Sequence, residues 1–247
     1  MFTLNHFLWL GICATAIAAL LLFDKFRGIS YNALINITVI GSTVSECVKI
    51  FCSMIEGAGG GMHLDPGDLP FHLCSIMIFL FYALKYFVKK EDTRERLIGF
   101  MVPVAILGGI MASLIPTLGV SFTIVQVYQY FLYHAMLIFF AIYSIKHKLV
   151  RWSFAVLLRN LRYLGAVIFF ATIMNSMIYE SYNDVNFFFL VKPPMENLPI
   201  LNLDNGWAAY ISALAVVAIT LLSLLHAILI FIQYKSDNKE NAAITSK

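Results

Sequence analysis

Charge is scarce in this chain. Asp, Glu, Lys and Arg make up 13% of the 247 residues, against 60% hydrophobic residues and a mean hydropathy of +0.81. Such a composition excludes a soluble domain, because too few polar groups remain to cover an apolar core. Cysteine is sparse as well: Cys13, Cys47, Cys52 and Cys74 form no C-x-x-C pair and no metal-ligand spacing. Neither a disulfide framework nor a zinc site is indicated, and no metal or cofactor is implied. No basic patch interleaved with aromatics points to nucleic acid. There is no internal repeat and no low-complexity tract. The first apolar run follows no basic n-region and has the length of a spanning helix, so it reads as retained and not as a cleaved signal.

What is present is a series of long apolar runs, near 3–23, 33–53, 69–88, 98–116, 124–145, 158–179 and 207–233. They predict an all-α polytopic membrane protein with seven transmembrane helices in a domain over residues 1–235, followed by a polar, disordered tail at 236–247. Basic residues sit after the first run (Lys25, Arg27), around the third-to-fourth connection (Lys85 to Arg96), around the fifth-to-sixth connection (Lys146 to Arg162) and after the seventh. Of the seventeen Lys and Arg, only Lys49 and Lys192 fall elsewhere. The positive-inside rule then puts the N-terminus outside and the C-terminus in the cytoplasm.

Polar residues recur at helical spacing inside three runs. Ser42, Ser45, Glu46, Lys49 and Ser53 share a face of the second; Gln126, Gln129, Tyr130, Tyr133 and His134 share one of the fifth; Thr172, Asn175 and Tyr179 do so on the sixth. Three polar stripes at the outer end avoid large desolvation costs by turning toward one another around a cavity. Glu46 and Lys49 read either as an ion pair that anchors a headgroup or orients a base, or as a structural pair with Lys49 snorkelling outward. His226, toward the cytoplasmic end of the last run, reads as a packed or interfacial histidine. The segment from Glu180 to Gly206 is long for a connection and reads as a cap over the cavity.

The stretch Asp65-Pro-Gly-Asp-Leu-Pro-Phe-His-Leu-Cys-Ser75 enters the third run. Asp68 as N-cap and Pro70 in the first turn predict a helix start whose free amides favour ionisation of Cys74. Cys74 is thus a candidate nucleophile, the alternative being a buried, inert cysteine. It lies roughly 7 Å deep and His134 roughly 15 Å deep from the outer end, at 1.5 Å rise per residue. His72 is about 200° around an ideal helix from Cys74, so His134 is the preferred base and His72 takes an orienting or headgroup role.

These residues resemble the YwaF-type family of bacterial integral membrane proteins, which is distantly similar to a eukaryotic acyltransferase of ether-phospholipid remodelling. The likeness rests on Leu69-Pro-Phe-His72-Leu-Cys74-Ser, Pro116-Thr, Phe131-Leu-Tyr-His134, Asn175 followed by Asn186-Phe-Phe and Lys192-Pro-Pro194, and Glu46. It covers most of residues 30–230. The resemblance implies a helical fold of the bacterial plasma membrane in which Cys74 carries an acyl chain as a thioester and His134 gives acid/base help.

The function expected is transfer of a fatty acyl chain between phospholipid and lysophospholipid in the outer half of the membrane. Gln126, Asn175 and Lys192 are candidates for headgroup or oxyanion contacts. The alternative is a non-enzymatic lipid or small-solute binding or transport protein using a cavity around Glu46, Lys49 and His134.

Overall fold

The computed structural model describes residues 3–56, 64–179, 185–194, 198 and 200–245. These residues are mostly helical: α1 Leu4–Arg27, α2 Tyr31–Glu56, α3 Leu73–Tyr82, α4 Glu91–Leu114, α5 Val125–Lys146, α6 Phe154–Tyr179 and α7 Trp207–Thr245. Six of them, all but α3, are long and apolar enough to cross a bilayer. The third element departs from the expected span at 69–88. A 3-10 turn, Pro66–Asp68, precedes it, α3 begins at Leu73, and its last turn, Ala83–Phe87, widens to a π-helix. From Leu73 to Phe87 it rises about 22 Å, short of the ~30 Å hydrocarbon thickness.

α4 lies at the centre. Every residue from Ile98 to Ala105 is buried, the all-round burial of a core helix with neighbours on each side. Pro103 within it has no N–H to give the carbonyl of Gly99. That carbonyl accepts from Asn160 Nδ2 of α6 at 2.6 Å, and the same amide nitrogen lies 3.1 Å from His226 Nε2 of α7. His226 Nδ1 donates to the Leu222 carbonyl, leaving Nε2 to accept. His226 is therefore a packed residue that joins three helices where a proline has opened the backbone.

Glycine sets the approach of α4 to α5. A Cβ on Gly109 would stand 2.6 Å from Ile138 Cγ1 and 3.2 Å from the His134 carbonyl oxygen. On the other flank of α5, Trp9 of α1 stacks on Phe131 with ring centroids 4.9 Å apart and on Phe122 at 4.7 Å. His6 donates from Nε2 to the Ser113 carbonyl at 2.8 Å.

At the basic end of the bundle Asp24 is fully buried and holds Lys146 at 2.5 Å, His147 at 2.8 Å and the Ile29 amide at 2.9 Å. This pins the end of α1 to the end of α5. The polar residues after Lys235, expected as a disordered tail, continue α7 as far as Thr245, and Lys148 reaches Asp237 at 3.0 Å and Glu240 at 2.8 Å.

Candidate functional site

The helix start at Cys74 is built differently from its sequence signature. Asp65, and not Asp68, is a cap, accepting from the Gly67 amide at 2.8 Å and starting the 3-10 turn. Leu69 and Pro70 then run between turn and helix, and His72 is the N-cap residue of α3, with φ −73° and ψ 153°. Cys74 is thus the second helical residue and lies at the mouth of the helix. Because His72 stands outside the helix, the 200° separation from Cys74 does not govern it. Its ring meets Phe187 edge-on, centroids 5.3 Å apart, and tilts toward Phe189 at 6.1 Å.

α2 and α5 converge on this first turn. Lys49 Nζ pairs with Glu46 Oε1 at 2.6 Å and donates to Ser75 Oγ at 3.3 Å, which brings the ion pair to the residue after Cys74. Gln129 Nε2 donates to Ser45 Oγ at 2.6 Å, tying the polar stripes of α5 and α2 together. Tyr133 donates to the Cys74 carbonyl at 2.6 Å. Gln126 is buried at the start of α5, and Tyr130 donates to the Ala112 carbonyl at 3.0 Å.

His134 is buried beside these two tyrosines, its ring 4.6 Å from that of Tyr130 and 5.7 Å from that of Tyr133. Its Nδ1 lies 2.7 Å from the Tyr130 carbonyl oxygen. A carbonyl can only accept, so the proton is on Nδ1 and Nε2 carries a lone pair. Among the described residues that Nε2 is buried with no hydrogen-bond partner. No hydrogen bond joins it to the Cys74 thiol among them; Tyr133 is what touches both residues.

The polar stripe of α6 does not join this group. Asn175 is buried and turned to the loop after α6, where Oδ1 accepts from the Phe187 amide at 2.8 Å and Nδ2 donates to the Phe187 carbonyl at 3.0 Å. Asn186 does a similar task, its side chain holding the Val191 and Lys192 amides and the Lys192 carbonyl. Asn175 and the Lys192 backbone are thereby engaged in shaping the loop. That loop carries Phe188 and Phe189 at φ 58° and 56°, left-handed conformations costly for phenylalanine. It presses Phe187 against Phe71 and His72, so residues 185–194 of the expected cap cover the approach to α3. Residues 57–63, which include His63, lie outside the described residues.

Beside this cover, a groove of about 420 Å³ runs between α3 and α6, lined by Phe71, Ile76, Phe79, Ala166, Val167 and Phe170. The lining is entirely apolar. It was not foreseen, because its residues look like any lipid-facing helix surface in the sequence. Nor was the Tyr133 contact, which a phenol one residue before His134 could have suggested.

A family model matches residues 1–226. The chain belongs to the TMEM164 family. No curated protein and no solved structure matches it. The match overturns the resemblance to the YwaF-type family: the short motifs around Cys74, His134 and Asn186 that carried it are shared too loosely to fix a family, whereas the TMEM164 model spans nearly the whole chain. With that resemblance goes the placement in a bacterial plasma membrane. TMEM164 membership and the six long apolar helices make this a membrane-embedded protein.

Proposed function

We propose that the chain is a membrane-embedded acyltransferase that moves a fatty acyl chain between phospholipids through a thioester on Cys74, with His134 as the base. The observation that carries the reading is the His134 imidazole, whose Nδ1 proton is committed to the Tyr130 carbonyl while a bare Nε2 is buried without a partner among the described residues. A buried lone pair left unsatisfied is costly, and it is what a general base needs. Tyr133 links it to the first turn of α3, in which Cys74 is the second helical residue.

In the first half-reaction Nε2 takes the Cys74 proton. The thiolate attacks the ester carbonyl of a phospholipid, the C–O bond breaks, and the departing lysophospholipid takes the proton back from the imidazolium. In the second, the hydroxyl of another lysophospholipid gives its proton to Nε2 and attacks the thioester, and the thiolate leaves to be reprotonated. The apolar groove on α3 suits a fatty chain. Glu46, Lys49, His72, Gln126, Gln129 and Tyr130 surround the headgroup side in this reading, with Lys192 at its rim. α3 is counted as a seventh crossing, with the N-terminus outside, the C-terminus cytoplasmic and the site in the outer half.

The test is purified protein incubated with phosphatidylcholine and a lysophospholipid. Acyl exchange and an acyl adduct on Cys74, seen by intact-protein mass spectrometry, are expected. Cys74→Ala should abolish both, and His134→Ala should slow exchange about 10²- to 10⁴-fold. Exchange that continues unchanged in both variants ends the reading.

A further inference from the structure

At the end of the bundle opposite Cys74, near the starts of α4 and α6, a second cavity of about 400 Å³ is lined by Arg96, Ala155, Leu158, Arg159, Arg162 and Tyr163. Three guanidinium groups around one hollow repel one another unless something negative lies between them. Only one has a carboxylate: Arg96 Nε pairs with Asp92 at 2.9 Å on the exposed side of α4. Arg159 and Arg162 have no ion pair among the described residues. The Arg159 Nε is moreover buried with no hydrogen-bond partner among the described residues, a cationic donor withdrawn from water.

The scaffold beneath is rigid. Arg159 adjoins Asn160, the residue that closes the backbone opening left by Pro103, and its guanidinium packs over Gly99, where a Cβ would lie 3.4 Å from Nη2. Tyr163 is fixed edge-on against Phe100, centroids 5.8 Å apart. Outward from the arginines the face of α6 is apolar, with Phe154, Leu158 and Phe169 exposed as lipid-facing side chains are.

We propose that this cavity is a binding site for the phosphate of an anionic membrane phospholipid, with Arg159 and Arg162 as its donors, Arg96 at the rim, and the acyl chains lying along the exposed face of α6. Guanidinium groups match phosphate oxygens in pairs of parallel hydrogen bonds. A ligand with both a phosphate and apolar tails uses both parts of the surface. Free phosphate shares the recognition chemistry but leaves the apolar face unused. The site is remote from Cys74 and does not depend on the acyl-transfer reading.

The test uses the full chain in nanodiscs or detergent, with thermal unfolding and native mass spectrometry as readouts. Phosphatidic acid and phosphatidylglycerol should bind at least about tenfold more tightly than phosphatidylcholine, whose phosphate brings a quaternary ammonium toward the arginines, and raise the melting temperature. Arg159→Gln combined with Arg162→Gln should remove that preference. Arg162→Gln alone, on an exposed side chain that folding does not need, should weaken it. Lys25→Gln with Arg27→Gln, at the same end but outside the cavity, should keep it. Inorganic phosphate should give no comparable shift. The proposal is overturned if wild type does not discriminate among the lipids, if the preference survives the arginine changes or falls equally in the control, or if inorganic phosphate stabilises as well as the lipids do.

Discussion

Tyr133 of α5 donates its phenolic hydrogen to the Cys74 carbonyl oxygen at 2.6 Å, so the residue next to His134 fixes the backbone of the first turn of α3. A helical carbonyl has a second lone pair to give, so the bond costs α3 nothing. Tyr133→Phe removes it while keeping the ring. The expected loss is about 1 kcal/mol of stability, read as a lower melting temperature in detergent, with faster labelling of Cys74 by a maleimide as the turn loosens. Unchanged labelling would mean that the phenol does not hold the turn.

Gly109→Ala tests the seam behind His134. The new methyl would stand 2.6 Å from Ile138 Cγ1 and 3.2 Å from the His134 carbonyl, so α5 must move or Ile138 must change rotamer. Overpacking of this kind costs about 1–3 kcal/mol. Gly109→Ala with Ile138→Ala should recover much of the melting temperature, because the second change opens the space the first one fills. Equal losses in the single and double variants would place the strain elsewhere.

How far the sequence could be read depended on whether a residue's role was local. Cys74 and His134 stood out because a thiol at a loop-to-helix junction and an imidazole inside an apolar run are rare and costly. The exact start of α3 was not legible: Asp68 and Pro70 imitate an N-cap and first turn, yet Asp65 two residues before Gly67 makes the earlier Asx-type turn, and His72 ends up as cap. Asp24 was missed because its partners lie 122 and 123 residues away at the end of α5, and no local pattern reports such a pairing. The extension of α7 hid for a similar reason. Its residues after Lys235 lack an apolar face, and their support comes from Lys148 in another connection. Asn175 was legible as a buried polar residue but not as one already engaged by the Phe187 backbone.

Asn160→Ala should be among the most damaging changes in the core. It leaves the Gly99 carbonyl, already deprived of its helical donor by Pro103, without a partner, and strips His226 Nε2 of its donor. Each buried group left unpaired costs about 1–3 kcal/mol. Pro103→Ala restores the backbone N–H, so Asn160→Ala should be milder in that background. A double-mutant cycle on melting temperatures measures this coupling, and additivity would show that the two residues are unrelated.

Lys148 holds the far end of α7. Its hydrogen bonds to Glu240 and Asp237 raise its pKa above the ordinary lysine value. Since the folded-state pKa is the higher one, the contribution is complete below the ordinary value, about 10.4, and disappears as pH rises through the folded value. Hydrogen exchange of the amides from 236 to 242, corrected for intrinsic rate, should therefore show protection at pH 8 that falls by pH 11. Lys148→Met should lack that step. A step of equal size in the variant would assign it to other groups.

Asn175→Asp separates a shaping role from a headgroup role for α6. The carboxylate can still accept from the Phe187 amide but cannot donate to the Phe187 carbonyl, and it puts a charge where the residue is buried. If Asn175 serves the loop, Asp and Ala both lower the melting temperature, and both increase exchange of the amides from 186 to 192, because Phe188 and Phe189 are kept in left-handed conformations only by the surrounding bonds. Any effect on acyl exchange would then follow the loop's order and be the same for lipids of different headgroup. A variant that kept the loop protected and the melting temperature unchanged, while shifting the preference among headgroups, would move Asn175 from scaffold to substrate contact. The paired hydrogen bonds hold the Asn175 amide against the backbone of Phe187, and they make the first outcome the expected one.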